Sequence, residues 1–269
     1  MTPWAQRTDI AMPLPLRATR ANAKAQRPAA ERARRHETAT INRAIDAALL
    51  AATPQPLHEL TALRQTMAIA ALVEKVRRRA TQLARRDRAQ RAALIRARDT
   101  IILALYAQAA PKGWMTAWCD GSMTETDEQH LAGIGGIILD RHGHVIAQVA
   151  RMLTEQSALE AEIAAASAVL ALALDAGIAR VRLHTDCKGL VHLWLNQRDD
   201  PRLAALRAQA MRLDRVHMRL VPRQHNQAAH RLAHAAARGT DIQDLGVKAK
   251  QVQPAPPADS GESSIKDNE

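Results

Sequence analysis

The chain has no phenylalanine, and aromatic residues make up only 2% of its 269 positions. A core filled by large rings is excluded, so Ala, Leu, Ile and Val must fill it, which favours closely packed helices beside a modest sheet. Cysteine is nearly absent as well. Cys119 and Cys187 make neither a secreted disulfide framework nor a CxxC zinc pair, so reduced thiols are expected. No apolar run reaches the roughly 18 residues of a membrane span, and the first residues lack the apolar stretch of a signal peptide. These absences predict a soluble, cytoplasmic protein that makes no membrane contact.

Basic charge is present in excess, with a formal net charge of +11, and it is unevenly placed. Residues 1–112 hold 21 Lys/Arg against 8 Asp/Glu, whereas the remainder holds 17 against 19. A strongly basic arm joined to a nearly neutral domain points to a polyanionic partner.

Prolines at 3, 13, 15 and 28 punctuate a stretch without periodicity, so residues 1–30 are expected to form a disordered basic tail. Residues 31–110 are expected to be a helical basic arm. A first helix is stopped by Pro54 and Pro56, and an intermittent apolar seam then runs through Leu60, Leu63, Met67, Val76, Leu83, Leu94, Ile101 and Leu105. Unbroken, that second stretch would form a rod on the order of 80 Å at 1.5 Å per residue, unless it folds back near the weak seam at ARRDRAQR. APKG at 110–113 breaks the helix. Residues 112–239 then read as strands at 114–121, 133–139 and 144–150, a helix at 157–176, a strand at 180–186, helices at 188–196 and 202–214, a strand at 216–221 and a helix at 226–238. Three strands in a meander followed by helix and strand alternation give an α/β fold with a mixed five-stranded sheet flanked by helices. Residues 240–269 have the composition of a disordered tail.

Three acids stand out: Asp120 in WCDGS, Glu162 in SALEAEIAAA and Asp186 in VRLHTDCKGL. Each is expected where an element ends against the others, and carboxylates so grouped repel one another unless a divalent cation neutralises them. Taken singly they have ordinary readings as a turn, a solvated helix face and a helix N-cap. Glu160 competes with Glu162, and two residues apart on a helix only one of them faces the other acids. Strand alternation turns Cys119 away from the face that holds Asp120. His225, His230 and His234 raise a zinc alternative, but no HExxH is present.

Taken together and in order, these segments resemble the type I ribonuclease H family over about residues 112–238. DGS closes the first strand, GIGGIILD forms the second, ALEAEIAAASAVLALAL has the family's Ala-Glu at the start of its first long helix, LHTDCKGL ends the fourth strand in Asp, and VPRQHNQAAHRLAHAA is similar to its closing strand and helix. The Ala-Glu pattern aligns with Glu162 rather than Glu160. The resemblance implies a metal-dependent endonuclease that hydrolyses the RNA strand of RNA–DNA hybrids, with Asp120, Glu162, Asp186 and His230 holding Mg²⁺, for which Mn²⁺ would substitute. His230 stands where the family pattern N-x-x-A-D-x-L-A has Asp, and a neutral imidazole also binds divalent metals. The two adjacent Asn that commonly precede the Ala-Glu are replaced in QSALEAE, and the bacterial G-H-x-G loop is absent. Ser122, the GIGG segment and Ser157 are the expected contacts to 2′-hydroxyls.

The arm supplies Arg77, Arg78, Arg79, Arg85 and Arg86 for phosphate contact, with too few aromatics for base stacking. Deleting residues 1–110 is expected to weaken binding while sparing cleavage. Two rival functions carry different expectations: a non-catalytic nucleic-acid-binding protein with a degenerate ribonuclease H fold, and a helical adaptor that self-associates through its N-terminal helices.

Overall fold

The computed structural model describes residues 16–51, 67–125, 130–154, 157–196 and 199–239, with side chains of the first helix described from Glu31 onward. That helix, α1, spans Leu16–Ala51 and so begins well before the expected boundary near residue 31. The run LRATRANAKAQR consists mostly of strong helix formers, and Pro28 lies within the helix. The expected disordered tail is therefore corrected for residues 16–30. Residues 1–15 and the tail 240–269 lie outside the described residues.

Helices α2 (Ile69–Arg86) and α3 (Arg91–Gln108) form a hairpin rather than a rod. The chain turns at Asp87, whose backbone is extended and whose carboxylate accepts the Gln90 N–H at 3.1 Å. Ile45 and Leu49 of α1, Leu72, Val73 and Val76 of α2, and Ile101, Ile102 and Leu105 of α3 share one buried cluster. An Arg79–Asp46 ion pair at 2.5 Å ties α2 to α1. Of the expected seam, Val76, Leu94, Ile101 and Leu105 are buried inside a three-helix bundle with Met67 and Leu83 packed against them, whereas Leu60 and Leu63 lie outside the described residues.

Strands β1 (Met115–Glu125), β2 (His130–Leu139), β3 (Val145–Thr154), β4 (Arg180–Thr185) and β5 (Arg215–Leu220) form one mixed sheet in the order β3-β2-β1-β4-β5. β1, β2 and β3 are antiparallel, and β4 and β5 run parallel to β1. Helices α4 (Ala158–Asp175), α5 (Lys188–Asn196), α6 (Ala204–Met211) and α7 (Gln227–Ala237) complete the domain. α4 buries Ile163, Ala166, Val169 and Leu170 against Ala117, Cys119, Ile134 and Ile138. Trp118, Ile137 and Leu139, on the opposite sheet face, meet Ala228, Ala229 and Leu232 of α7. The alternation expected for Cys119 and Asp120 follows from this division of faces.

The basic arm is not an appendage. Leu103 and Ala107 of α3 enter the same cluster as Trp118, Ile137, Leu139 and Val221, while their neighbours Ile102 and Leu105 face the bundle. The Tyr106 ring lies edge-on to Trp118 at 5.1 Å, and its hydroxyl is hydrogen-bonded to His225 Nδ1 at 2.9 Å. Asp99, buried in α3, accepts from Arg98 and from Arg231 of α7. No helix among the described residues is long and apolar enough to cross a membrane.

Because α3 completes the core under the sheet, the expectation that deleting residues 1–110 weakens binding while sparing cleavage is revised. A chain lacking them is expected to unfold at a lower urea concentration than the full chain, since Trp118, Ile137 and Leu139 would lose Leu103 and Ala107 and keep their contacts with α7 and Val221. Leu103→Ala in the full chain is expected to cost about 2–4 kcal/mol.

Candidate active site

Two close backbone approaches build the site. α7 lies directly on β2: a Cβ at Gly133 would strike the backbone of Ala233 and Ala237, and one at Gly135 would strike that of Ala229 and Ala233. In the antiparallel register Asp120 stands beside Gly135 and Ser122 beside Gly133, so both side chains face α7. On the other sheet face, a Cβ at Gly121 would come within 2.5 Å of the Glu162 nitrogen, so the first turns of α4 rest on β1. The GIGG segment is therefore packing surface covered by helices, which corrects its expected role in contacting 2′-hydroxyls.

Asp120 does not close a strand, because β1 continues through Gly121 and Ser122 to Glu125 by pairing with β2. The neighbouring strand ends instead. β4 pairs with β1 only as far as Trp118↔His184, leaving Asp120 beside the chain exit where Asp186 follows Thr185. α4 begins with Ser157 as its N-cap in a reciprocal capping box with Glu160, so Glu160 is exposed and spent on the cap. Two residues further, about half a turn on, Glu162 is turned inward, close enough to Asp120 and Asp186 for their charges to act on it.

Asn226, which precedes α7, joins the group. It is fully buried, and its Nδ2 donates to Asp186 Oδ1 at 2.5 Å, to the Cys119 carbonyl at 2.9 Å and to Asp120 Oδ1 at 3.3 Å. One turn into α7, His230 Nδ1 donates to Asp120 Oδ2 at 3.0 Å. Reading the sequence for charges overlooked Asn226, although it opens the N-x-x-A pattern of this helix.

The electrostatics are those of anions held out of water. Burial, then the nearby charges of Asp120 and Asp186, push Glu162 up to about 8. Burial likewise raises Asp120 to about 6, against the opposing hydrogen bond from His230. The Gly121 backbone hydrogen bond and the charge of Arg223 relieve Glu162 only in part. One Glu162 oxygen, Oε2, is buried without a hydrogen-bond partner. Such an orphaned carboxyl oxygen near two further carboxylates and an imidazole has the chemistry of the donor set of a hard divalent cation. As the side chains stand, however, no group of three or more His, Cys, Asp or Glu among the described residues is spaced to hold a metal ion, and the Asn226 amide bridges Asp120 and Asp186 in its place.

The remaining expected positions are dispersed. Ser122 is buried two residues beyond Asp120, and the Ser157 hydroxyl accepts the Glu160 N–H. Arg77 and Arg78 both pair with Glu74, and Arg79 with Asp46, whereas Arg85 and Arg86 are exposed at the end of α2. His225 belongs to the Tyr106 contact, and the His230 and His234 rings lie 6.0 Å apart. His184, unmarked in the sequence reading, stacks on Trp118 at 4.5 Å, and burial lowers it to about 3, so it is a neutral core residue.

A family model described as reverse transcriptase-like matches residues 119–236, the span that carries all four proposed ligands. Comparison with curated proteins finds no match. Among solved structures, the N-terminal RNase H domain of a Mycobacterium tuberculosis protein is similar at 23% identity and TM-score 0.43, covering 47% of this chain and 94% of that one. An RNase H1 from the halophilic archaeon Halobacterium salinarum is similar at 25% identity and TM-score 0.42, covering 47% and 99%. A third, an RNase H1 in complex with an RNA/DNA hybrid, has 19% identity and TM-score 0.41, covering 46% and 97%.

Glu162 goes from an ordinary 4.5 in the unfolded chain to about 8 in the folded one, so folding favours its protonated form. Its contribution is fully present below about pH 4.5 and is lost as pH rises through about 8. In EDTA, Glu162→Gln is expected to melt with the parent near pH 4.5 and progressively above it towards alkaline pH. Each kcal/mol so released should appear as roughly 2–4 °C in a thermal scan.

Proposed function

On this ribonuclease H-like fold we propose that the protein is a metal-dependent endonuclease that hydrolyses the RNA strand of an RNA–DNA hybrid. The observation that supports the reading is that His230 is hydrogen-bonded to Asp120, the Asn226 amide joins Asp120 to Asp186, and the charges of both acids act on Glu162, one oxygen of which is buried without a partner. Asp120, Glu162 and Asp186 would hold Mg²⁺ or Mn²⁺ through oxygen, and His230 would add a nitrogen. Bound there, divalent cations supply activation of the attacking water and charge stabilisation at the departing 3′ oxygen.

The chain's own residues supply position and environment. Asp120 is fixed by β1 pairing and by the His230 N–H, so its orientation is set before any ligand arrives. Asn226 aligns Asp120 with Asp186 through one amide nitrogen, and its own Oδ1 is buried without a partner. Arg223, in the loop leading to α7, is the cation whose charge reaches Glu162 and suits a phosphodiester approaching from that side. Ser122 lies beside Asp120, and Ser157 would contact a 2′-hydroxyl only through the oxygen that caps α4.

The Asn226 bridge and the His230 substitution favour one rival, a binding protein on the same fold without turnover. A labelled RNA–DNA hybrid, duplex DNA and duplex RNA incubated with the full chain in Mg²⁺ or Mn²⁺ separate the two. Cleavage of the RNA strand of the hybrid, abolished by Asp120→Asn, is the expected result, whereas binding without cleavage in either metal assigns the rival. Asn226→Ala is expected to retain the product pattern and lose roughly 10–100-fold in rate, the usual effect of removing a group that orients metal ligands. His230→Asp is expected to keep cleavage and to shift the preferred metal towards Mg²⁺.

A further inference from the structure

The bend between α2 and α3 brings arginines from both helices around one cleft. Arg85 from the last turn of α2, Arg88 from the bend, and Arg91 and Arg98 from α3 line a space of about 480 Å³, with Thr81 contributing a hydroxyl. We propose that this cleft binds the phosphate backbone of a nucleic-acid duplex, independently of base sequence, as a docking site outside the carboxylate centre. The proposal rests on the reading of nucleic acid as the partner but not on cleavage.

Charge accounting separates this cleft from an ordinary solvated helix face. Several bundle arginines have an acid beside them, Arg77 and Arg78 sharing Glu74, Arg79 pairing with Asp46 and Arg35 with Glu31. Among the described residues no carboxylate lies within ion-pair distance of Arg85, Arg88 or Arg91. The nearest acid in sequence, Asp87, has an oxygen turned to the Gln90 backbone N–H. Arg98 is held by Asp99 through Nε at 2.6 Å, which fixes its direction at the cleft wall. Three guanidiniums without a carboxylate partner, those of Arg85, Arg88 and Arg91, thus line one cleft beside the paired Arg98, and an anion relieves their repulsion.

The shape and chemistry select among anions. The cationic lining is guanidinium throughout, and its planar fork matches phosphate oxygens in pairs. A second groove on α2, lined by Arg77, Arg78, Gln82 and Arg86, shares Thr81 and Arg85 with the first. From Arg78 to Arg85 the helix advances roughly 10 Å, about three base steps of a duplex. No aromatic ring lines either groove, so single-stranded bases would find nothing to stack on. A continuous guanidinium track without stacking platforms suits a duplex backbone. Through Asp99 and Arg231 the cleft wall is also tied to α7, one residue from His230.

The test compares the full chain with Arg85→Gln/Arg88→Gln/Arg91→Gln. Binding of a fluorescent RNA–DNA hybrid and of duplex DNA is measured in EDTA between 50 and 200 mM salt, on the order of the range where phosphate contacts dominate. The triple variant is expected to bind both duplexes more weakly, by at least about tenfold at the lower salt. Its slope of log affinity on log salt should be shallower by about 2 to 3, nearly one per lost phosphate contact. The matching triple Lys variant is expected to keep most of the slope, which separates charge from a folding defect. Unchanged affinity and slope would overturn the proposal. So would a loss confined to the hybrid, or a loss of polyglutamate binding with duplex binding intact. Cleavage plays no part in the readout, so failure of the hydrolase reading would leave this result interpretable.

Discussion

The structure depends on two helices lying closer to the sheet than side chains normally allow. α7 rides on Gly133 and Gly135, and the start of α4 rides on Gly121. A methyl group at any of these positions would overlap helix backbone, so each helix would have to lift away and carry its polar residue with it. His230 and Asn226 reach Asp120, and Glu162 approaches it from the other side, because these separations are short. Alanine-rich helices complete the arrangement: Ala229, Ala233 and Ala237 present little more than backbone to β2.

That compaction has an electrostatic consequence. Carboxylates on three elements are drawn into a partly dry space, and burial raises both Glu162 and Asp120 before any partner charge is considered. The protein relieves this internally with one buried amide and one imidazole, which together engage Asp120 and Asp186 but leave a Glu162 oxygen unpartnered. An unrelieved cluster of this kind costs stability, a pattern common at sites where ligand binding supplies the missing charge.

The second organising fact is that α3 belongs to two cores at once. Its Ile102 and Leu105 hold the three-helix bundle together while Leu103 and Ala107 close the sheet around Trp118. The Tyr106–His225 and Asp99–Arg231 contacts bracket the segment that carries Asn226 and His230. The basic hairpin is consequently oriented against the α/β domain by packing, so its unpaired arginines occupy a defined place relative to the carboxylates.

Local chemistry in the sequence sufficed for much of this. The strand and helix order and the break after α3 follow from periodicity and helix breakers, which act over a few positions. Asp120, Glu162, Asp186 and His230 are singled out by the resemblance of their motifs to the type I ribonuclease H family, not by local chemistry alone. Local reasoning placed the helix start too late at Leu16, ended β1 too early, and left the rod or hairpin question open, because these outcomes depend on strand partners and on distant apolar surface. Asn226 became central only when β1, β4 and α7 met, and the arginine cleft exists only because α2 folds back on α3. Sequence alone determined which side chains and which local elements are available. Tertiary packing decided which of those side chains share a desolvated space, since burial and proximity are set by contacts between residues far apart in the chain.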